Sequence, residues 1–316
     1  MKIDTPNLME TLLTSSLKDY RSPSGGEFRG CYIDHAALAR EGVTVSAPNR
    51  RWPILVLSGT SLPVSCSQGL LAYILRSGFE VATIENPIGG PFDIRINPKR
   101  ERPAALRAFL GYLKSQGVSR ITAVAQSYSS FELIRTLLLN PGGYRPLIPQ
   151  IVFINAPGLD PHIGYIRHVM RFLWGHTIRG YAANAGFKAR DQNYSQQKEL
   201  SGICVWAGKT LQNTCRSLRE VKDIVTYKTK EPIRHLARCG FDVNYFLQAN
   251  DQLVPAGISL RELDGLLPES HIKYVPGGHN DLYFQDWQRP TFVGFLKEIR
   301  ARGTADNDGN ARAVLP

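Results

Sequence analysis

Apolar residues recur along this chain in two alternating rhythms. Leu8, Leu12, Leu13 and Leu17 fall at helical spacing and predict a helix over residues 6–20, closed by the breaker run Ser22-Pro23-Ser24-Gly25-Gly26. Residues 27–33 and 43–46 read as two short strands. The run Pro53-Ile54-Leu55-Val56-Leu57 is apolar throughout, as a strand buried on both faces must be. From there helices and strands take turns: a helix over 68–78, a strand over 80–84, and a helix over 103–116 with Leu106, Phe109, Leu110 and Leu113 on one face. A strand over 121–125, a helix over 129–139 and a strand over 151–155 follow. Strands separated by helices of this length predict an α/β fold, a parallel sheet with helices on both faces.

The rhythm breaks after Pro157. Residues 158–240 are helical and polar, with only Ile203-Cys204-Val205 and Ile224-Val225 hinting at strand. This segment holds fourteen Lys or Arg against six Asp or Glu, a surplus of eight out of the chain's net +11. Strand pattern returns at 243–247 and 272–275, and a final helix is expected over 289–301. Residues 303–316 lack an apolar face and read as a loose tail. The expected organisation is therefore one sheet core in two parts, residues 1–157 and 241–302, interrupted by a basic helical insertion at 158–240 and followed by the tail at 303–316.

Composition narrows the classes. The 316 residues are 43% hydrophobic and 21% charged, the balance of a globular chain rather than a disordered or fibrous one. No apolar run approaches the roughly 18 residues of a membrane span, and residues 1–6 do not begin a signal peptide. Five scattered cysteines with no CxxC pair make neither a disulfide framework nor a zinc site, so reduced thiols in a cytoplasmic protein are expected, with no metal and no cofactor. The positive charge comes with no nucleic-acid-binding motif, and no nucleic-acid partner is expected.

The chemistry concentrates at Ser127. The strand over 121–125 runs into Gln126-Ser127-Tyr128-Ser129-Ser130, and a helix begins at once. A serine on so sharp a turn projects its hydroxyl above the sheet edge, and crowding demands small residues two before and two after it. Ala125 and Ser129 stand there.

At these residues the chain resembles the α/β-hydrolase superfamily. Leu57-Ser58-Gly59-Thr60 is similar to its oxyanion turn, and Glu85-Asn86-Pro87-Ile88-Gly89-Gly90 to its loop after the fourth strand. Gln126-Ser127-Tyr128 stands at its nucleophile elbow. Asn250-Asp251-Gln252-Leu253-Val254-Pro255 resembles its acid loop, and Pro276-Gly277-Gly278-His279 its histidine station. The resemblance covers about residues 50–157 and 240–300 and leaves out the insertion, where this superfamily commonly places a cap.

The resemblance implies a serine hydrolase acting on a carboxylic ester or thioester. Ser127 would be the nucleophile, His279 the general base and Asp251 the residue that orients it, in the chain order usual for the fold. The backbone N–H groups of Thr60 and Tyr128 would receive the developing oxyanion. Of seven histidines, His279 alone follows a late apolar strand and a Gly-Gly pair. Asp242 precedes its strand and falls at the wrong sheet edge. Asp264 belongs to a solvated helix face, and Asp281 and Asp286 could only orient His279.

In the insertion, Arg167 and Arg171 are four apart and share a helix face with Trp174 nearby; this reads as a lid helix whose apolar side covers the serine pocket. Its substrate-binding role would be toward an anionic portion, such as the phosphates of a thioester carrier. A packing helix and a solvated charged face are the plainer readings of the same residues. Acyl transfer or another non-hydrolytic reaction, and a catalytically silent binding protein, are the alternatives.

Overall fold

The apolar runs at 54–57, 81–84, 122–126 and 150–154 become strands covered on both faces. A computed structural model describes residues 11–22, 27–40, 52–59, 64–85, 97–176, 204, 208 and 214–312. Eight strands form one sheet in the order β1-β2-β4-β3-β5-β6-β7-β8. They are β1 Lys18–Arg21, β2 Glu27–Ile33, β3 Ile54–Leu57, β4 Val81–Ile84, β5 Thr122–Gln126, β6 Gln150–Ile154, β7 Asp242–Gln248 and β8 Ile272–Val275. The pairs β1/β2 and β2/β4 are antiparallel and every other pair is parallel.

The principal helices are α1 Val64–Arg76, α2 Pro98–Ser115, α3 Ser129–Leu138, α4 Tyr165–His176, α5 Thr214–Thr226, α6 Lys230–Arg238, α7 Ala256–Leu263 and α8 Arg289–Arg312. Two apolar cores lie on opposite faces of the sheet. One gathers Phe109, Leu113, Leu133 and Phe153; the other gathers Leu71, Ile74, Phe246 and Phe292. Strands β3 to β6 are buried at every residue, which is why their sequences do not alternate.

Several expected boundaries move. The first helix does not reach residue 20: the chain turns into β1, where Tyr20 pairs with Phe28 and their rings stack at 5.3 Å. A cross-strand aromatic pair outweighs the helical spacing there. Helix α2 begins at Pro98, not at 103, because Asn97 caps it by accepting from the Lys99 N–H at 3.1 Å and Pro98 suits the first turn. Ile224-Val225 is not strand but the end of α5, with Ile224 packed against Tyr128 and Phe131. The tail expected to be loose is helical to Arg312, since propagation costs little once a helix is anchored upstream. The strands expected at 43–46 and 203–205 and the loop at 85–90 lie outside the described residues, apart from Glu85 and Cys204.

The strand order places the site. From β3 the chain moves outward to β4, then returns to the other side of β3 as β5. Loops leaving β3 and β5 therefore diverge at the carboxyl edge, and open parallel sheets bind ligands in the crevice such a reversal leaves.

Candidate active site

Ser127 leaves β5 at that edge with φ +52°. A left-handed conformation costs a residue with a Cβ about 1–2 kcal/mol, and the surroundings hold it in place. The Ser127 N–H donates to Ile154 O at 2.9 Å. The Ser129 hydroxyl lies 2.7 Å from both Leu57 O and Gln126 O, sharing its proton between them. Ser129 thus ties the elbow to the end of β3. Gly59 passes so close that a Cβ there would meet the Ser127 Cβ at 3.2 Å.

Three sequence-predicted residues come together from three loops. His279 Nε2 is 3.0 Å from Ser127 Oγ, and His279 Nδ1 is 2.6 Å from Asp251 Oδ2. Asp251 is buried, and its other oxygen accepts the Leu253 and Val254 N–H groups at 2.8 and 2.9 Å. A carboxylate engaged in this way only accepts, which assigns the proton to Nδ1 and leaves the Nε2 lone pair facing the serine. Asp242 sits at the opposite sheet edge beside Gln150 and Asn244. Asp264 is exposed beyond α7. Asp281 accepts the Gly278 N–H at 2.9 Å and so shapes the histidine loop.

A set of buried carboxamides, not singled out from sequence, braces these loops. Gln126 accepts the Gly59 N–H at 3.4 Å and donates to His279 O at 3.0 Å and Asn280 Oδ1 at 3.1 Å. Asn155, at φ +46°, donates to Gln248 Oε1 at 2.5 Å and accepts the Gln248 N–H at 3.0 Å. Gln248 donates to Gln288, which donates to Pro276 O at 2.6 Å. Gly277, at φ +127°, has no room for a Cβ against Gln288. The legible signal was a polar residue closing an otherwise apolar strand, as at Gln126, Asn155 and Gln248.

The predicted oxyanion donors are only partly described. Tyr128 precedes α3, so its N–H has no carbonyl one turn back to bond; Thr60 lies outside the described residues. The Tyr128 ring is buried and its hydroxyl donates to Asp223 Oδ2 of α5 at 2.8 Å. Asp223 also receives Arg135 of α3 through two bonds, at 2.5 and 2.7 Å, and Lys99 of α2 at 3.0 Å. Burial pushes the Asp223 carboxyl upward, but the bonds and charge of Arg135 outweigh it and hold it below the usual carboxylate range. Burial also raises the Tyr128 phenol far above its ordinary value. The residue after the serine is thereby tied to a helix that precedes β7.

Of helix α4, Tyr165, Ile166 and Met170 are exposed and His168 is buried; the side chains of Val169 and of residues 172–176 lie outside the described residues. Arg171 is bonded to Asp160 at 3.0 Å, and Arg167 is exposed. Burial pushes the Asp160 carboxyl upward, but the His162 N–H first, then Arg171 and lastly the charge of Arg167, hold it below the usual carboxylate range. Arg171 is therefore paired with a carboxylate of the chain itself. The side chain of Trp174 lies outside the described residues. Among the described residues no group of three or more His, Cys, Asp or Glu is placed to hold a metal ion. No described helix is long and apolar enough to cross a membrane.

His168, also missed from sequence, is 3% exposed. Burial first, then the charge of Arg171 and the proximity of His279, lower its pKa to about 4, with Asp251 opposing. Unfolded, it would titrate near 6.5, so between these values the unfolded chain binds more protons. Stability is expected to fall by about 3 kcal/mol from this group as pH drops from 7 to 4. Denaturant midpoints for wild type and His168→Phe across that range check this: the variant should lose less, and equal losses would assign the acid sensitivity elsewhere.

No protein-family model matches the chain, and no curated protein sequence matches it. Solved structures do. A carboxylesterase of the ammonia-oxidizing thaumarchaeon Nitrososphaera gargenis superposes with a TM-score of 0.60 at 14% identity, covering 90% of this chain and 100% of its own. A thermophilic esterase from Thermogutta terrifontis gives 0.61 at 11% identity, with 90% and 98% covered. A bromoperoxidase from Bacillus anthracis gives 0.57 at 15% identity, with 89% and 100% covered. At such identities the likeness shows architecture: this chain has the α/β-hydrolase fold.

Proposed function

We propose that the protein is a serine hydrolase that cleaves a small carboxylic ester or thioester through an acyl-enzyme, with residues 158–240 as a cap over the site. The observation that carries this reading is the hydrogen-bonded chain Ser127–His279–Asp251 at a left-handed elbow. In acylation, Ser127 Oγ attacks the substrate carbonyl carbon and its proton passes to His279 Nε2. The carbonyl electrons move onto oxygen, where the Tyr128 N–H and a donor in the loop after Gly59 receive them. Collapse breaks the C–O or C–S bond, and His279 returns the proton to the leaving group. Water then repeats the sequence and releases the acid. Asp251 fixes the imidazole tautomer and faces the imidazolium in both halves.

The esterases that share the fold support hydrolysis. The bromoperoxidase among them keeps open the second reading, a non-hydrolytic reaction or acyl transfer on the same residues. Five scattered cysteines with no CxxC pair support a reducing compartment such as the cytoplasm. A fluorophosphonate probe is expected to label the protein, with the adduct mapped by peptide sequencing to Ser127. Modification at Ser129 or Ser130, or none at all, would remove the assignment.

A further inference from the structure

Helices on a protein surface ordinarily bury their apolar stripe and show their charges to water. Over its described residues α5 does the reverse. Ser217, Glu220 and Asp223 are buried together with Ile224, whereas Leu218 is 51% exposed and Val225 is half-buried. The inward carboxylates have their partners inside the fold: Glu220 lies 3.5 Å from Arg102, and Asp223 takes Arg135 and Lys99. Helix α4 packs beside α5 and exposes Tyr165, Ile166 and Met170. Of the six large apolar side chains exposed among the described residues, four therefore stand on these two helices. Between them lies an open groove of about 480 Å³, walled by Tyr165 of α4 and by Leu218, Lys222 and Val225 of α5. Exposed apolar surface gathered in one place marks an interaction site.

Charge selects the occupant. Helix α4 contains no Asp or Glu, and the two carboxylates of α5 are the buried ones. The described charges that these helices show to solvent include Arg167 and Lys222, and Arg219 stands on the groove wall. In a two-fold contact a second copy of the chain presents the same basic patch, so like charges would meet. An acidic amphipathic helix could lie in the groove, but Ile166 and Met170 do not line it and would stay in water. A bilayer with anionic headgroups covers groove and ridge together. The apolar side chains enter the boundary between headgroups and acyl chains, and the cations meet lipid phosphates.

We propose that the surface formed by α4 and α5 docks this protein onto an anionic phospholipid bilayer. The surplus charge of the insertion then serves a lipid surface rather than an anionic substrate.

Sedimentation of the full chain with sucrose-loaded vesicles tests this. Vesicles of phosphatidylcholine containing about one-third phosphatidylglycerol should bind the wild-type protein about tenfold more tightly than pure phosphatidylcholine, and salt should weaken that binding. Ile166→Ser combined with Leu218→Ser keeps every charge and should weaken binding to the anionic vesicles by about tenfold or more, the loss of two aliphatic side chains from the acyl boundary. Leu139→Ser is the control. Leu139 is 65% exposed but lies at the end of α3 away from Ser127, and its variant should bind as wild type does. All of these side chains face solvent, so thermal midpoints should match across the variants.

Equal binding by wild type and the Ile166/Leu218 variant would reduce the effect to the chain's net +11 and overturn the proposal. So would no binding to anionic vesicles, or an equal loss in Leu139→Ser. Sedimentation velocity without vesicles covers the other occupant: a dimer that the Ile166/Leu218 variant dissolves would assign the surface to a second copy instead. None of these measurements uses turnover, so they stand apart from the hydrolase reading. That reading fails separately, through an unlabelled Ser127 in the wild-type protein.

Discussion

Ser127→Ala is expected to lower kcat/KM for an ester substrate by on the order of 10⁶-fold, with the thermal midpoint almost unchanged. The elbow is held by the Ser127 N–H, the Ser129 hydroxyl and the close approach of Gly59, and an alanine Cβ occupies the same left-handed backbone. Removing Oγ deletes the nucleophile and nothing that supports the turn. His279→Ala should cost about as much, and the double variant little more, because base and nucleophile act in one step and their losses do not add.

Asp251→Asn separates orientation from charge. Its Oδ1 can still accept the Leu253 and Val254 N–H groups, so the acid loop stays in place. Its amide, however, cannot accept from His279 Nδ1, and the imidazole turns to the tautomer that has no lone pair for Ser127. A loss of about 10⁴-fold follows. Steady-state kinetics on a chromogenic ester read all four variants. If any of the three single variants keeps a tenth of wild-type activity, the proposed roles are wrong.

The alternation of apolar runs and helices made the sheet readable, because β3 to β6 are buried on both faces and nothing else in the chain is so continuously apolar. Ser127, Asp251 and His279 were readable for a related reason: they closely follow β5, β7 and β8 at their carboxyl ends, where a parallel sheet gathers its loops. What stayed hidden depends on partners far away in sequence. Tyr20 joins a strand because Phe28 lies opposite it. Gln126 braces His279 across 153 positions. Nothing in Tyr165-Ile166-Arg167-His168 says which side faces the core. Helical spacing assigned the apolar side to the serine pocket; of that helix the described residues show His168 buried, Arg171 bonded to Asp160 and Ile166 at 79% exposure.

Asp223→Ala is expected to destabilise the protein by about 3–5 kcal/mol, the usual cost of removing one partner from a buried ionic cluster. For a chain of this size that lowers the thermal midpoint by roughly 5–8 °C. Asp223 accepts from Tyr128, Arg135 and Lys99 with its side chain fully buried. Its loss leaves the Arg135 guanidinium, itself largely buried, without an anion, and the Tyr128 hydroxyl without an acceptor. Asp223→Asn should be nearly as harmful, since an amide still accepts from Tyr128 but cannot neutralise Arg135. Tyr128→Phe removes only a neutral donor and should cost about 1 kcal/mol.

The pH dependence has a definite sign. The folded carboxyl titrates below its unfolded value, so its contribution is complete above the unfolded pKa near 4 and disappears as pH falls through the folded one. Wild type and Asp223→Ala should therefore converge in stability in strong acid and diverge toward neutrality. Equal denaturant midpoints at pH 7 would show that the cluster contributes nothing net. A midpoint difference of the expected size, shared by Asp223→Asn and much reduced in Tyr128→Phe, would place the energy in the Arg135 pair. The phenol bond would then serve chiefly to hold the residue after Ser127 against α5, so that whatever displaces that helix also displaces the backbone N–H next to the nucleophile.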